Sequence, residues 1–530
     1  MQQASIGRAG ILAASTALVA LVAWQAKAED ARLVQGDDPY FKQAQGQMQR
    51  ILAQPKNTNR AKNVILFVGD GMGFSTVTAA RIFEGQQRGV DGESNILAWE
   101  AFPYLAASKT YSADAQITDS APSAVAMTTG VKTINDLMGL DHTATLESCE
   151  DQKTKAVTTL WELAETIGMS TGAVTTATIT HATPGATYSH IASRDWESDA
   201  AMTPEAVEQG CADIARQLVE IKYGDGFEVA MGGGRQNFLP ATMDDPEDEG
   251  KKGKRKDGKD LTKAWLDRYG DKGAFVWNQA QFDAIDPAKT DHLLGLFEMS
   301  HMEYEHDRPK DKAGEPSLAQ MADKAIDILS RNPEGFVLLI EGGRVDHGSH
   351  AGNAYRTLSD AVALNDAVKA VLRKVDLNET LIVVTGDHSH TLTIAGYAKR
   401  GNPILGKTDA GLGLIPFSTD SLGLPYTTLG YMNGPGGWTG NGTRREFNPA
   451  TEGYTAEIPF ANTGGKRPDL TNVDTTAPNY LQEAAIPTLG AETHAGEEVA
   501  IYADGPRSYL VRGTLEQNAI YHVMADALGL

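Results

Sequence analysis

The strongest constraint in this 530-residue chain is a series of short, continuous apolar runs, rich in β-branched residues, that end in small or acidic residues. Residues 63–68 run into Gly69-Asp70-Gly71, 171–176 lead to His181, and 227–231 lead to Gly232-Gly233-Gly234. Residues 335–340 run into Glu341, 380–384 into Thr385-Gly386-Asp387-His388, and 498–502 close the series. Runs of this length without polar alternation suit strands buried on both faces. Between them, 158–167, 205–221, 317–331 and 357–375 space their apolar residues near the helical period. Strand alternating with helix predicts an α/β fold with a mostly parallel central β-sheet flanked by helices. Sites in such sheets form beyond the carboxyl ends of the strands, which is where these polar residues fall.

The remaining segments set the domain organisation. Residues 1–28 carry Arg8, an apolar stretch and Ala26-Lys27-Ala28, the pattern of a secretory signal cleaved after Ala28. The apolar stretch is shorter than the ~20 residues that span a bilayer, so no membrane anchor is expected after cleavage. The chain is expected to be exported, to the periplasm or the exterior. Residues 29–62 form an N-terminal segment, and 63–398 with 480–530 a catalytic α/β domain. Residues 399–479, rich in Gly, Thr, Pro and Asn, form a surface subdomain inserted in it. The charged run 244–260 reads as a solvated loop, because acidic residues flank its Lys251-Lys-Gly-Lys-Arg-Lys256 core.

With 47 Lys and Arg against 69 Asp and Glu, the net charge is −22. A surface this acidic repels phosphate backbones, so no nucleic-acid partner is expected. A small anionic substrate would need local cations to reverse the field. The only cysteines are Cys149 and Cys211. An even count in an exported chain suggests one disulfide, with two buried thiols as the alternative.

Half of the twelve histidines fall in polar segments after the runs: His181, His347, His350, His388, His390 and His494. Any one of them could be structural, but their collection at strand ends points to metal binding by imidazole and carboxylate. Asp346 and His350 are four apart, on one side of a helical turn. No cysteine lies in these segments, which excludes a Cys-rich structural zinc site. Thr118-Asp119-Ser120-Ala121-Pro122 precedes a helical run over 123–129 that stops at Gly130. Ser120 at that helix start is either a capping serine or a nucleophile beside an anion site.

Together these segments resemble the alkaline phosphatase family, from about residue 63 to the C-terminus, and its animal-type members more than the enteric bacterial one. The stretches that carry the resemblance are Gly69-Asp-Gly-Met-Gly73, Thr118-Asp-Ser-Ala121, His181-Ala-Thr-Pro184, Arg194-Asp-Trp196, Glu341-Gly-Gly-Arg-Val-Asp-His-Gly-Ser-His350, Asp387-His-Ser-His390 and Glu492-Thr-His-Ala-Gly496. The resemblance implies a hydrolase of phosphate monoesters with two zinc ions and one magnesium ion. Asp346, His350 and His494 match the first zinc's ligands, and Asp70, Asp387 and His388 the second's. Asp70, Thr183 and Glu341 match those of magnesium. Ser120 matches the nucleophile that becomes a phosphoserine, and Arg194 the phosphate clamp. His181 matches a residue beside magnesium, His347 one beside the first zinc or the phosphate, and His390 one that orients a ligand. Cys149 and Cys211 match a disulfide of animal-type members, and members are commonly homodimers. Those members also hold calcium near Gly295-Leu-Phe-Glu298. A family aspartate there is His301 in this chain, which argues against calcium.

Two neighbouring enzyme classes fit less well. Ser120-Ala-Pro122 is similar to a sulfatase motif, but its fifth position is Ala124 rather than Arg. Phosphodiesterase relatives generally use Thr as nucleophile and lack the magnesium ligands. A metal-storage or phosphate-scavenging module would need neither Ser120 nor Arg194.

Overall fold

A computed structural model describes residues 36–411, 413, 416–436, 443–455, 458–459, 467–488 and 490–530. The signal segment 1–28 lies outside the described residues. Residues up to Pro55 form a separate unit whose helix, Pro39–Ala53, starts on Asp38 and Pro39 and buries none of its residues. Everything below concerns the second unit, from Lys56 to Leu530.

That unit is built on a ten-stranded sheet. Across it run Gly513–Glu516, Tyr104–Lys109, Val499–Asp504, Thr380–Gly386, Asn63–Gly69, Phe336–Gly342, Ser170–Thr178, Val229–Gly233, His292–Leu296 and Gly273–Val276. All neighbours pair parallel except Val499–Asp504, which is antiparallel to both of its own. The four strands from Thr380–Gly386 to Ser170–Thr178 are buried along their whole length. That is why they read as unbroken apolar runs. Two core layers cover the sheet's faces. One holds Val64, Leu66, Trp161 and Met524, the other Ile65, Phe67, Leu364 and Leu338. Side chains one apart on a strand thus enter opposite layers.

Two expectations change. The helix expected over 205–221 is two short helices, Pro204–Glu208 and Ile214–Val219. Gly210 between them takes the left-handed conformation (φ 75°) and Cys211 is bonded to Cys149, so the chain leaves the helical path there. The disulfide closes a separation of 62 residues, worth ~4 kcal/mol in the chain-entropy account. The charged run 244–260 is not merely solvated. Arg255 is fully buried against Asp213 and Asp257, and Asp245 against the buried Arg235. Lys251, Lys252, Asp244 and Glu249 face water. Flanking opposite charges paired inward, which a charge count does not reveal.

Within and beside 399–479, Leu392–Ile394, Leu429–Gly434 and Ala484–Pro487 form a three-stranded sheet, with two-stranded ribbons nearby. Among the described residues, no helix is long and apolar enough to cross a membrane.

One buried feature far from that region carries a stability prediction. Burial, then the neighbouring Glu165, push Glu228 up to about 9. Glu165 is itself pushed up to about 7, by burial first. Their reference value is 4.5. Between that value and about 9 the folded chain holds protons that the unfolded chain has released, so stability falls as pH rises through this window. Glu228→Gln should therefore raise Tm more at pH 9.5 than at pH 6. An equal shift at both would show that the pair carries no such linkage.

Candidate metal centre

Parallel strands deliver their carboxyl ends to one edge, and four adjacent strands deliver the site. Asp387 and His388 follow Thr380–Gly386, Asp70 follows Asn63–Gly69, Glu341 lies in Phe336–Gly342, and His181 and Thr183 follow Ser170–Thr178. Asp346, His347 and His350 ride on the helix Arg344–His350. His494 comes from the far end of the sequence, as its short strand pairs with Ser389–His390 and sets His494 opposite His390.

Several buried polar atoms of these residues lack partners. Both carboxylate oxygens of Asp70, Oε1 of Glu341, Oγ1 of Thr183 and Nδ1 of His181 are buried without a hydrogen bond. Ligand atoms of Asp70, His181 and Glu341 lie within 4.8 Å of one another. Burial, then Asp387, Asp346 and Glu341, raise Asp70 well above the usual carboxylate range. Asp387 is raised too, by burial first. Buried polar groups are seldom left unsatisfied, and buried charges seldom unpaired. Orphaned oxygens converging on one point fit a cation.

The imidazoles carry the same message. His350 Nδ1 donates to the carbonyl of Glu492 at 2.6 Å and His494 Nδ1 to that of Thr118 at 2.9 Å. Each neutral ring therefore presents a bare Nε2, and the two Nε2 atoms face each other 3.0 Å apart. Asp346 Oδ1 lies 3.3 Å from one and 3.5 Å from the other. Two lone pairs and a carboxylate oxygen aimed at one point form a metal-ligand set with its ring orientations fixed by backbone carbonyls. His388 Nε2 lies 3.3 Å from Asp70 and 3.4 Å from Asp387, while Gly71 N–H and Ser123 Oγ hold Asp387 at 2.9 and 3.2 Å.

His390 differs. It bridges Asp346 at 2.7 Å and Glu492 at 2.5 Å, and these carboxylates outweigh its burial and push it up to about 10. It donates through both nitrogens, so it orients Asp346.

Ser120 is the first residue of the helix Ser120–Thr129, and the cap is Asp119, whose carboxylate accepts from Ala121 N–H at 3.3 Å. Ser120 is therefore not the capping serine. Its Oγ points at His388 Nε2, 3.2 Å away. Arg194 forms an ion pair with Asp119 and donates to His181 Nε2 at 2.9 Å. Burial, then Arg194, lower His181 to about 4.

The structure thus collects Asp70, Ser120, His181, Thr183, Arg194, Glu341, Asp346, His347, His350, Asp387, His388, His390 and His494 at one edge. Sequence reasoning missed Glu492, Asp119 and Ser123. Glu492 opens a quoted motif, yet nothing in that motif says that its side chain reaches His390. It also misplaced His301. Glu247, Glu298 and Asp311 form a separate acidic group that could hold a cation. His301 is not beside it but packs on His181 and His347. The argument against calcium from His301 therefore fails.

Comparison with known proteins agrees. Residues 61–530 match the family model for alkaline phosphatase. The tissue-nonspecific alkaline phosphatase of Gallus gallus is 43% identical over 498 residues, covering 93% of this chain and 89% of its own. The Homo sapiens tissue-nonspecific isozyme is 42% identical over 499 residues, covering 93% and 88%. Among solved structures, the Thermus thermophilus alkaline phosphatase superposes with a TM-score of 0.61 at 24% identity, over 91% of this chain and 94% of that one. The enzyme of the Antarctic bacterium TAB5 gives 0.56 at 22%, over 89% and 98%. A variant of the TAB5 enzyme, at TM-score 0.56 and 22% identity over 89% and 99%, holds magnesium in a site termed M3. Fold and centre define a metal-dependent α/β hydrolase. The chain belongs to the alkaline phosphatase family and is a phosphate-monoester hydrolase.

Proposed function

We propose that the enzyme works through a phosphoserine at Ser120, with two zinc ions and one magnesium ion. Asp346, His350 and His494 would hold one zinc, and Asp70, Asp387 and His388 the other. Asp70, Thr183 and Glu341 would hold magnesium beside His181. The observation that carries this reading is the pair of Nε2 atoms of His350 and His494, 3.0 Å apart beside Asp346, with both Nδ1 atoms bonded to backbone carbonyls. When bound, the metal ions supply the positive charge that an acidic protein needs to accept a phosphate dianion and to stabilise the oxygens entering and leaving phosphorus.

The chain's own residues do the rest. The bonds of Asp387 to Gly71 N–H and Ser123 keep it from rotating away. His388 Nδ1 donates to the carbonyl of Ser389 at 3.3 Å, which leaves the Nε2 lone pair, 3.2 Å from Ser120 Oγ, as the atom that would hold a metal ion beside the serine. Ser120 would give up its hydroxyl proton to solvent beside the bound cations, its Oγ would attack phosphorus in line as the P–O bond to the leaving group breaks, and the departing alkoxide would take a proton from water; a water molecule would then attack the phosphoserine, releasing phosphate and returning the proton to Ser120. Arg194, pinned by Asp119, binds phosphoryl oxygens with its planar fork. We further read residues 399–479 as a surface subdomain, and the protein as an exported homodimer, periplasmic or extracellular.

One metal-loaded sample assayed with p-nitrophenyl phosphate, a phosphodiester and a sulfate ester tests the function. The monoester should be cleaved fastest by far, and faster turnover of either other ester would overturn the assignment. Arg194→Ala should weaken phosphate inhibition and lower kcat/KM by ~1.5–3 kcal/mol, as for a charged hydrogen bond. Unchanged phosphate affinity would remove Arg194 from the site.

A further inference from the structure

A cavity of about 370 Å³ lies beside the disulfide, bounded by the helices Cys149–Thr154 and Leu160–Thr166 and by the loop 220–227. That volume falls in the range of small-molecule sites. Glu165, in its wall, accepts from Thr171 near the start of Ser170–Thr178, and Phe227 lies just before Val229–Gly233. The cavity therefore sits toward the amino-terminal ends of these strands, whereas the metal centre gathers at their carboxyl ends. None of the residues assigned to the metal centre lines it.

Its walls are fixed in place. Cys211 is tied to Cys149, and Arg268 donates to the carbonyls of Val219 at 2.6 Å and Ile221 at 2.8 Å, which anchors the start of the loop. Gly224 takes a left-handed conformation (φ 53°), and a Cβ there would fall 2.2 Å from Glu165 Oε2. Only glycine lets the loop approach Glu165 so closely. Tyr188 and Phe227 are buried and meet edge to face with ring centres 5.6 Å apart, giving the cavity an aromatic wall.

The polar groups of the lining define what fits. Gln152 is only 8% exposed. Its Nε2 donates to the carbonyl of Ala212 at 3.0 Å, which fixes the amide, and its Oε1 is buried without a hydrogen-bond partner. A buried acceptor left unmatched calls for a donor. Glu162 and Glu165 are buried as well. Glu162 meets His190 Nε2 at 2.7 Å, and Glu220 meets Arg216 at 2.9 Å. Glu165 accepts from Thr171 and Gly226 but has no ion-pair partner among the described residues. The lining lysines, Lys153 and Lys222, are exposed and so stand at the mouth. An unmatched acceptor, a buried carboxylate without a cation and two aromatic rings suit a cation that carries N–H donors and an apolar body.

We propose that this cavity binds a small organic ammonium, whose N–H groups donate to Gln152 Oε1 and to the Glu165 carboxylate while its apolar body lies against Tyr188 and Phe227. An anion of the same shape is rejected, because it would face buried carboxylates. The site is independent of the phosphoryl chemistry and does not rest on the roles given to Ser120 or to the metal ligands.

The test is titration calorimetry on the metal-loaded protein with inorganic phosphate in excess, which keeps the probes off the metal centre. It is run at about pH 8.5, above the value of about 7 to which burial pushes Glu165, so that this carboxylate is ionised. Three probes share one body and differ in the head group: phenethylamine, phenethyl alcohol and phenylacetate. Phenethylamine should bind, the alcohol about tenfold more weakly, and phenylacetate weakest of all. Gln152→Met removes the acceptor and should weaken phenethylamine about tenfold, the scale of one hydrogen bond to a charged group. Glu165→Gln, which can keep the bonds to Thr171 and Gly226, should weaken it at least as much. Both variants should hydrolyse p-nitrophenyl phosphate as the parent does. If Gln152→Met does not fold, Glu165→Gln decides alone. Absence of phenethylamine binding to the parent, equal affinity for the three probes, unchanged affinity in Glu165→Gln, or an affinity that falls as phosphate is raised overturns the proposal.

Discussion

Ser120→Ala should lower kcat by a factor on the order of 10⁴–10⁶, the scale seen when a nucleophile that forms a covalent intermediate is removed. Ser120 is buried, it opens a helix already capped by Asp119, and its Oγ faces His388. Loss of the hydroxyl therefore removes chemistry and leaves the fold intact. Thermal unfolding should shift by less than ~1 kcal/mol, because the cap that would matter for the helix belongs to another residue. On the phosphoserine mechanism proposed above, the parent enzyme would pass through two in-line displacements. Each inverts phosphorus, so a chiral thiophosphate ester should be hydrolysed with net retention. Tris should intercept the phosphoserine and yield phosphorylated Tris. In Ser120→Ala, residual hydrolysis by water should invert phosphorus and give no phosphorylated Tris. Inversion by the unmodified enzyme would sink the phosphoserine mechanism.

Removal of metal should have the second large effect, and on stability as well as activity. Asp70, Glu341, Asp346 and Asp387 crowd together in the protein interior, where burial and mutual repulsion raise Asp70 and Asp387 and push Glu341 up to about 7. A cation bound to the folded chain and not the unfolded one stabilises it by mass action, ~4 kcal/mol at a thousandfold excess over Kd. Dialysis against a chelator should therefore lower Tm by several degrees and abolish turnover. Zinc with magnesium should restore both, with about two zinc and one magnesium per chain by mass spectrometry, following the ligand sets assigned above. An unchanged Tm in metal-free protein would show that these carboxylates find their compensation elsewhere.

The α/β class was legible in the sequence because the central strands are buried on both faces and so must be apolar throughout. The strands 104–109, 273–276, 292–296 and 513–516 were not. Tyr104–Lys109, Gly273–Val276 and Gly513–Glu516 carry exposed or half-buried residues, and strands at the sheet's two edges, or next to one as Tyr104–Lys109 is, lack that unbroken apolar signature. His292–Leu296, though buried, is only five residues long. The helix over 205–221 was over-extended because apolar spacing continues through Gly210 and Cys211, and neither the left-handed turn nor the disulfide leaves a trace in periodicity.

For the site, residue chemistry and position after strands pointed to metal-binding acids and imidazoles, and the resemblance sorted them into ligand sets. What the sequence by itself determined was therefore local: which residue types stand at strand ends, and that they suit metal and phosphate. Which atoms meet was decided only by the tertiary structure. His494 reaches Asp346 because two two-residue strands pair. Thr118 and Glu492 turn two rings so that their lone pairs converge. Asp119, not Ser120, caps the helix, and His301 leaves the acidic group for the wall of the centre. Ring orientation and protonation depend on hydrogen bonds between residues hundreds of positions apart, such as His494 and Thr118, and chain spacing carries no information about contacts made across folded elements.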